Sequence, residues 1–547
     1  MESETISPAL AEPLRAGELA LRSLRRVPLH IFVVVCLAIA WLIVAPNSPD
    51  LAAQDYRSYL FAHFGMLVWD DNWYGGHHIP GYSLLYPPLA WLTGIRLAGA
   101  LAVVASAALF GQIAKTAFGP NTRLASIWFA VAAAGDLWIG RLTFALGVTF
   151  ALAAVLTVLR GRGRPSIALA GLLAAMSAAS SPVAGALLAL AALTDALANR
   201  RLRYALILII PVLVVILPLQ ALFPEGGFEP YGLESFLPST AVALAFIWAL
   251  PPRERLLRLG GWLFVLVNVL SLLPTPMGSN VVRYAVLLAG PLLLCAIARG
   301  GGFSVAGRRP FWALGAVLIG MAFWVLWGPI VQSSEVLGDL STQAAYYRPL
   351  RQFLATHAKG PIRIEVPFTR SHWEAALLAP HVALARGWER QLDKRYNEAI
   401  EADPLAPSVY RHWLDENAVS YVALPDVPLD GSSIGEAALI RHGAPFLQHV
   451  FSSVHWQVYR VLGATPLLQG PGRLMALGHQ GFTLDASAPG SFLVRVHYTP
   501  YWSTVAGQAR ITEGSGNWTQ ITVSRPGVVR VQAQFSLGAA FEALARL

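Results

Sequence analysis

Residues 165–194 run for 30 positions without one charged side chain, and residues 204–224 do so again. A stretch of that length cannot sit on the surface of a soluble domain. A bilayer core of about 30 Å takes roughly 17–25 apolar residues in helical form. Only 13% of the chain is charged, and its mean hydropathy is +0.52, where soluble domains carry about a quarter charged residues. The apolar runs crowd the first 330 residues, and the remainder has near-normal polarity. This pattern excludes a wholly soluble enzyme, a disordered chain and a disulfide scaffold. It predicts a polytopic α-helical membrane bundle carrying a polar C-terminal part.

Spans are predicted near 30–45, 97–114, 124–139, 142–159, 166–179, 182–198, 204–223, 238–251, 259–273, 281–298 and 311–329, about 11 in all. The net charge of +9 is distributed as a topology signal rather than a nucleic-acid patch. With a cytoplasmic N-terminus, the inner loops hold Lys115 and Arg123, then Arg160, Arg162 and Arg164. Arg200, Arg201 and Arg203 follow, then Arg253, Arg255 and Arg258, then Arg299, Arg308 and Arg309. The opposite loops carry Asp50, Asp55, Asp70, Asp71, Glu225, Glu229 and Glu234. An odd span count then puts the C-terminal part outside the membrane. Arg22, Arg25 and Arg26 precede the first apolar run as in a signal peptide, but Pro46 after Ala45 is a poor cleavage context and predicts an uncleaved anchor. Cys36 and Cys295 both lie in apolar runs, which leaves no disulfide or cysteine metal site in the polar regions. There is no Gly-Lys-Ser/Thr phosphate loop, and Gly300-Gly301-Gly302 reads as an inner linker, which disfavours an ATP-driven pump.

The first outer loop, residues 46–90, is far longer than a bundle connection requires. It combines four acids and three histidines with many Trp and Tyr, and residues 56–68 have the spacing of a helix lying along the interface. Its sequence includes Trp69-Asp70-Asp71-Asn72-Trp73-Tyr74-Gly75-Gly76 and Gly81-Tyr82-Ser83-Leu84-Leu85-Tyr86-Pro87-Pro88-Leu89. With Asp55 about ten residues past the first span, this loop resembles that of the integral-membrane glycosyltransferases of the C type, the GT-C superfamily. Gly140 to Gly147, Ser180 to Gly185 and Pro274 to Arg283 are similar to stretches of its bacterial members, and the likeness covers about residues 28–330.

The resemblance implies sugar transfer from a polyprenyl-phosphate-linked donor to a glycan or lipid acceptor of the cell envelope, at the outer face of a bacterial plasma membrane. An already activated lipid-phosphate donor needs no nucleotide fold. The reaction needs a carboxylate to deprotonate the acceptor hydroxyl and a cation to stabilise the departing phosphate. By resemblance the base is Asp55, with Asp70 and Asp71 next in line. Asp55 could equally cap a helix starting near Tyr56, and it lacks the adjacent acid of stricter family patterns. Arg283, three residues into a span, needs a partner, either a donor phosphate or lipid headgroups. Arg141 has Asp136 five residues before it as a salt-bridge mate, with a place in the substrate site as its other reading. His77, His78 and Tyr86 are further substrate-binding candidates. A divalent metal held by His63, His77 and His78 with the nearby acids is a candidate cofactor, although adjacent histidines alternate in direction along an extended chain and match no familiar ligand spacing.

In the polar part, Ile362 to Pro367, Tyr421 to Leu424 and Trp456 to Val461 alternate as strands, and Trp373–Leu384 and Ser408–Asn417 read as helices, giving an α/β domain over 331–465. Short alternating strands at Phe492–Tyr498, Gln508–Thr512 and Val528–Phe535 predict a β-sandwich over 466–547. Two other functions fit the same chain: a lipid or saccharide transporter, and an inactive GT-C-like accessory protein. The acids gather in the first loop rather than at mid-span, and no internal repeat appears, which favours the enzyme.

Overall fold

The computed structural model describes residues 27–300 and 310–545. The basic residues expected to precede the first span, and most of the expected glycine linker with Arg308 and Arg309, lie outside the described residues. The chain begins with α1 (Leu29–Val44), which breaks at Ala45 in the left-handed region (φ 47°) and turns by 76° into α2 (Pro49–Phe64). A short hairpin, β1 (Trp69–Asp70) and β2 (His77–His78), precedes α3 (Tyr86–Thr93). Then come α4 (Ile95–Phe118), α5 (Arg123–Ile139), α6 (Leu142–Arg160), α7 (Gly163–Ser180), α8 (Pro182–Asn199) and α9 (Leu202–Leu222). The bundle closes with α10 (Leu233–Ala249), α11 (Arg255–Leu270), α12 (Val282–Arg299) and α13 (Phe311–Val336).

A helix occupies each of the eleven expected stretches. Among the described residues, six helical segments are long and apolar enough to cross a membrane, seven if the bent pair α1–α2 counts as one span. The chain is a multi-pass membrane protein. The difference from eleven is one of length and hydropathy: α5, α10 and α11 have 17, 17 and 16 residues, and α7, with 18, carries Arg164 and several small polar residues. The loop helix also departs from expectation. It starts at Pro49, not near Tyr56, because proline suits the first helical position and Asp50 suits the first turn.

The polar part starts with α14 (Arg348–His357), β3 (Arg363–Glu365), α15 (Glu374–Leu377), β4 (Ala383–Leu384), α16 (Arg390–Tyr396), α17 (Pro407–Glu416), β5 (Val419–Pro425), α18 (Ile434–His442), β6 (Leu447–Ser452) and β7 (Trp456–Val461). Its strands form one sheet in the order β4-β3-β5-β7-β6, parallel across β4-β3-β5 and antiparallel beyond. The helix expected over Trp373–Leu384 is only the single turn α15, and its last residues form edge strand β4.

The strands that follow are β8 (Leu468–Gln469), β9 (Gly472–Gly478), β10 (Gly481–Ala486), β11 (Gly490–His497), β12 (Trp502–Ala506), β13 (Ala509–Glu513), β14 (Trp518–Val523) and β15 (Gly527–Ala533). They make two four-stranded antiparallel sheets, β12-β15-β10-β9 and β13-β14-β11-β8. Phe482, Leu484, Phe492, Val494, Ile521 and Val531 fill the space between them. Every second side chain of β10 is buried, the period-two pattern of a half-covered sheet. The last element is α19 (Leu537–Ala545).

The loop hairpin is wedged between bundle and sheets. Asp71 N donates to the His479 carbonyl (2.7 Å), Leu384 N to the Asn72 carbonyl (2.8 Å) and His497 N to the Gly75 carbonyl (2.7 Å). These bonds satisfy an irregular backbone that is buried from water.

Candidate active site

The turn between α1 and α2 is held from several sides. Arg96 donates to the carbonyls of Ala45 (3.0 Å) and Pro46 (3.1 Å) and to Asn47 Oδ1 (2.7 Å). From the polar part, Trp373 Nε1 donates to the Asn47 carbonyl and Trp388 Nε1 to the Pro49 carbonyl, both at 2.9 Å. On the bundle side, Gly140 at φ 90° lets α2 approach so closely that a Cβ there would lie 2.5 Å from Ser48 Oγ and 2.8 Å from Leu51 N. Gln54 completes the attachment. Its amide donates to the Gly140 carbonyl, and its Oε1 accepts from Thr143 N (3.1 Å).

This scaffold aims Asp50 at a cluster of charges where α2, the end of α5 and the starts of α6 and α12 meet. Asp50 Oδ2 lies 3.5 Å from Arg141 Nε, and the two side chains keep 33% and 24% of their surface exposed. Tyr82, from the loop, has Arg57, Asp50, Arg283 and Glu389 as its charged neighbours. Half-buried Glu229 accepts a hydrogen bond from Ser279 (2.8 Å) and has Arg283, Asp50 and Arg390 around it, and desolvation raises its pKa. Asp136, in the last turn of α5, is buried beside them.

Arg283 stands out chemically. It makes no ion pair to the described residues, its Nε is buried without a hydrogen-bond partner, and its guanidinium sits 5.3 Å from the Phe144 ring centroid. A half-buried guanidinium with unused donors, beside the N-termini of α6 and α12, is a place where an anion is favoured. Next to it stands a partly exposed carboxylate that can accept a proton. The arrangement suits chemistry in which negative charge leaves with one product while a hydroxyl is deprotonated.

The cluster extends toward the polar part through Arg57. Its guanidinium lies 4.1 Å from the Tyr82 ring centroid and 5.1 Å from that of Trp73, and it is ion-paired with Glu389. Burial pushes Glu389 up to about 7, against the pull of Arg57. His77 is buried nearby with neither ring nitrogen hydrogen-bonded, and it stacks on Trp73 at 5.4 Å; burial lowers its pKa.

The other residues singled out in the sequence lie elsewhere. Asp55 is five residues beyond Asp50, about 140° around the helix, and the charged group near it is Arg96. Asp70 is fully buried, accepting from Tyr56 Oη and pairing with His479 Nδ1, both at 2.9 Å. Asp71 is fully buried too and accepts from Trp69 Nε1 (2.8 Å); burial raises its pKa well above the ordinary range. His78 pairs with Glu225 (3.3 Å) and Thr499 (3.2 Å). Tyr86 donates to the Ile95 carbonyl (2.6 Å), at the join of α3 and α4. Arg141 touches Asp136 through its backbone N–H, which donates to the Asp136 carbonyl (2.8 Å), while its side chain pairs with Asp50. Among the described residues, no group of three or more His, Cys, Asp or Glu is placed to hold a metal ion. Asp50, Tyr82, Glu229 and Glu389 are not among the site residues expected from the sequence; Pro49 at the head of α2 is the signal that puts Asp50 at the helix start.

No family model matches the chain, and no curated protein matches it. Among solved structures it is similar to the arabinofuranosyltransferase AftD from mycobacteria, in two cryo-EM structures of a mutant. These are 19% and 15% identical, each with a TM-score of 0.43, over 83% and 92% of this chain. The match spans 42% and 60% of the AftD chains. It is also similar to ArnT from Cupriavidus metallidurans in the apo state, with 12% identity and a TM-score of 0.44, over 78% of this chain and 97% of that one.

Proposed function

We propose that this chain is a membrane glycosyltransferase that moves a sugar from a polyprenyl-phosphate donor to a cell-envelope acceptor, with Asp50 as general base. The observation that carries the reading is the unpaired guanidinium of Arg283 beside the Asp50–Arg141 pair. In this reading Arg283 and Arg141 hold the donor phosphate. The Asp50 carboxylate takes the acceptor hydroxyl proton as that oxygen attacks the anomeric carbon. The bond from the anomeric carbon to the phosphate oxygen breaks, and polyprenyl phosphate leaves with its new charge on the guanidinium groups. The resemblance of the loop motifs to those of GT-C enzymes supports the same reaction class. Asp55 in this reading steadies the α1–α2 turn through Arg96, and Asp70 and Asp71 hold the hairpin that carries His77 and His78.

The same proposal takes all eleven helices as spans, with the N-terminus cytoplasmic. Loop 46–90 and the α/β (331–465) and β-sandwich (466–547) regions then stand outside the bacterial plasma membrane. The basic residues of the opposite loops support that orientation.

The test is sugar transfer by the full chain in nanodiscs, with radiolabelled polyprenyl-phosphate sugars and an envelope-glycan extract. Asp50→Asn is expected to lower turnover by about 10²–10⁴-fold, and Arg283→Gln by about 10²–10³-fold. Asp55→Asn is expected to keep most of it. Loss of transfer in Asp55→Asn with Asp50→Asn active would move the base to Asp55 and overturn the assignment.

A further inference from the structure

Helix α19 turns its large side chains away from the protein. Leu537, Phe541 and Leu544, spaced along one face, are 73%, 71% and 44% exposed, while Ala540 and Ala543 on the other face are buried. Phe535, just before the helix, is exposed as well. A helix docked on a soluble domain has the reverse order, its bulky residues inward and its small or polar ones outward.

The position of α19 explains the inversion. Ala539 and Ala543 join a core that includes Leu219 and Leu222, in the last turn of α9, and the adjoining Phe223. The sandwich is tied to the same point: Tyr501 Oη donates to the Leu222 carbonyl (2.8 Å), and the Tyr501 ring stacks on Phe223 at 5.3 Å. Helix α9 is among the segments long and apolar enough to cross a membrane, and its outward Val214 and Leu217 are exposed in the same way. The apolar surface therefore continues from the face of a spanning helix onto α19. On the opposite side, Glu542 accepts from Tyr498 Oη (2.9 Å) and binds the helix to the sandwich.

We infer that α19 is an interfacial anchor: Leu537, Phe541 and Leu544 sit among lipid acyl chains just below the headgroups, where α9 leaves the bilayer. The occupant is lipid because the surface is continuous with that of α9. The anchor fixes the β-sandwich, and through it the hairpin residues bonded to His479 and His497, at a set height over the membrane.

The experiment uses the full chain in nanodiscs with Cys36→Ser, leaving Cys295 buried and unlabelled. A bimane probe is placed at Phe541→Cys, at Leu544→Cys as a second site should the first not fold, and at Val454→Cys as a water-exposed control (86% exposed). On α19 the probe is expected to be quenched several-fold more than the control by acyl-chain-brominated lipid, and shielded from iodide. Iodide quenching equal to the control would overturn the proposal. So would shielding from iodide without quenching by brominated lipid, which would mean that a protein surface, such as a second copy of the chain, covers the helix.

Discussion

The indole Nε1 of Trp388 donates a 2.9 Å hydrogen bond to the carbonyl of Pro49, the residue before Asp50. A side chain of the polar part thus sets the height of the bundle carboxylate. Trp388 is itself held, with its ring stacked on His372 at 3.4 Å and the Arg390 guanidinium 5.1 Å from its centroid. Trp388→Phe keeps the stack and removes the bond. The expected outcome is a fall in kcat of about fivefold, the equivalent of one hydrogen bond of about 1 kcal/mol, with the KM for donor nearly unchanged. Steady-state kinetics in nanodiscs separates this from loss of donor binding, which would raise KM instead.

The bundle was legible because a lipid core demands long uncharged runs, and those runs are explicit in residues 165–194 and 204–224. Strands such as β7 and β11 were legible for a similar local reason, the alternation of their side chains. The site was legible only in part. Arg283 and Arg141 showed as charges too close to apolar spans to lack a role. The choice between Asp50 and Asp55 depends on where α2 starts, since five residues turn a side chain by about 140°. Spacing alone predicts a helix from near Tyr56, whereas α2 begins at Pro49 and is docked on Gly140 through its own Gln54. Tyr82, Glu229 and Glu389 come together only through tertiary contacts, which no local pattern records.

Gly140 tests the same placement from the bundle side. Its φ of 90° and the 2.5 Å gap from a built Cβ to Ser48 Oγ leave no room for alanine. Gly140→Ala is expected to push the start of α2 away from Arg141 and so lower kcat at least tenfold, while the chain still folds. Distances between spin labels on α2 and α6 should lengthen in the variant. Unchanged distances together with unchanged turnover would refute the close-approach argument.

Asp70 separates a structural acid from a catalytic one. Its two oxygens are used by Tyr56 and His479, and it has no exposed surface. Asp70→Ala takes the acceptor from buried Tyr56 and half-buried His479, leaving them only their 3.3 Å contact with each other, at a cost of about 1–3 kcal/mol. The expected result is a lower Tm and lower yield, with turnover per folded molecule retained. His479→Ala should lower Tm in the same way, and the double variant should cost less than the sum of the two. Abolished turnover at wild-type Tm would instead make Asp70 part of the chemistry.

Glu374 gives the polar part a pH dependence whose sign is fixed by burial. Desolvation pushes its carboxyl from 4.5 up to about 8, and the bonds it accepts from Thr369 only partly offset this. Below pH 4.5 the group is protonated whether the chain is folded or not, and it exacts no penalty. Between pH 4.5 and 8 the unfolded chain gives up the proton while the folded one keeps it. The stability this group contributes is therefore lost as pH rises through that window, with no further loss above it. Glu374→Gln removes the ionisation while keeping the shape. Scanning calorimetry in nanodiscs should show a Tm close to wild type at pH 5 and above wild type at pH 8.5. A difference in Tm that is the same at both pH values would show that Glu374 does not titrate in this window.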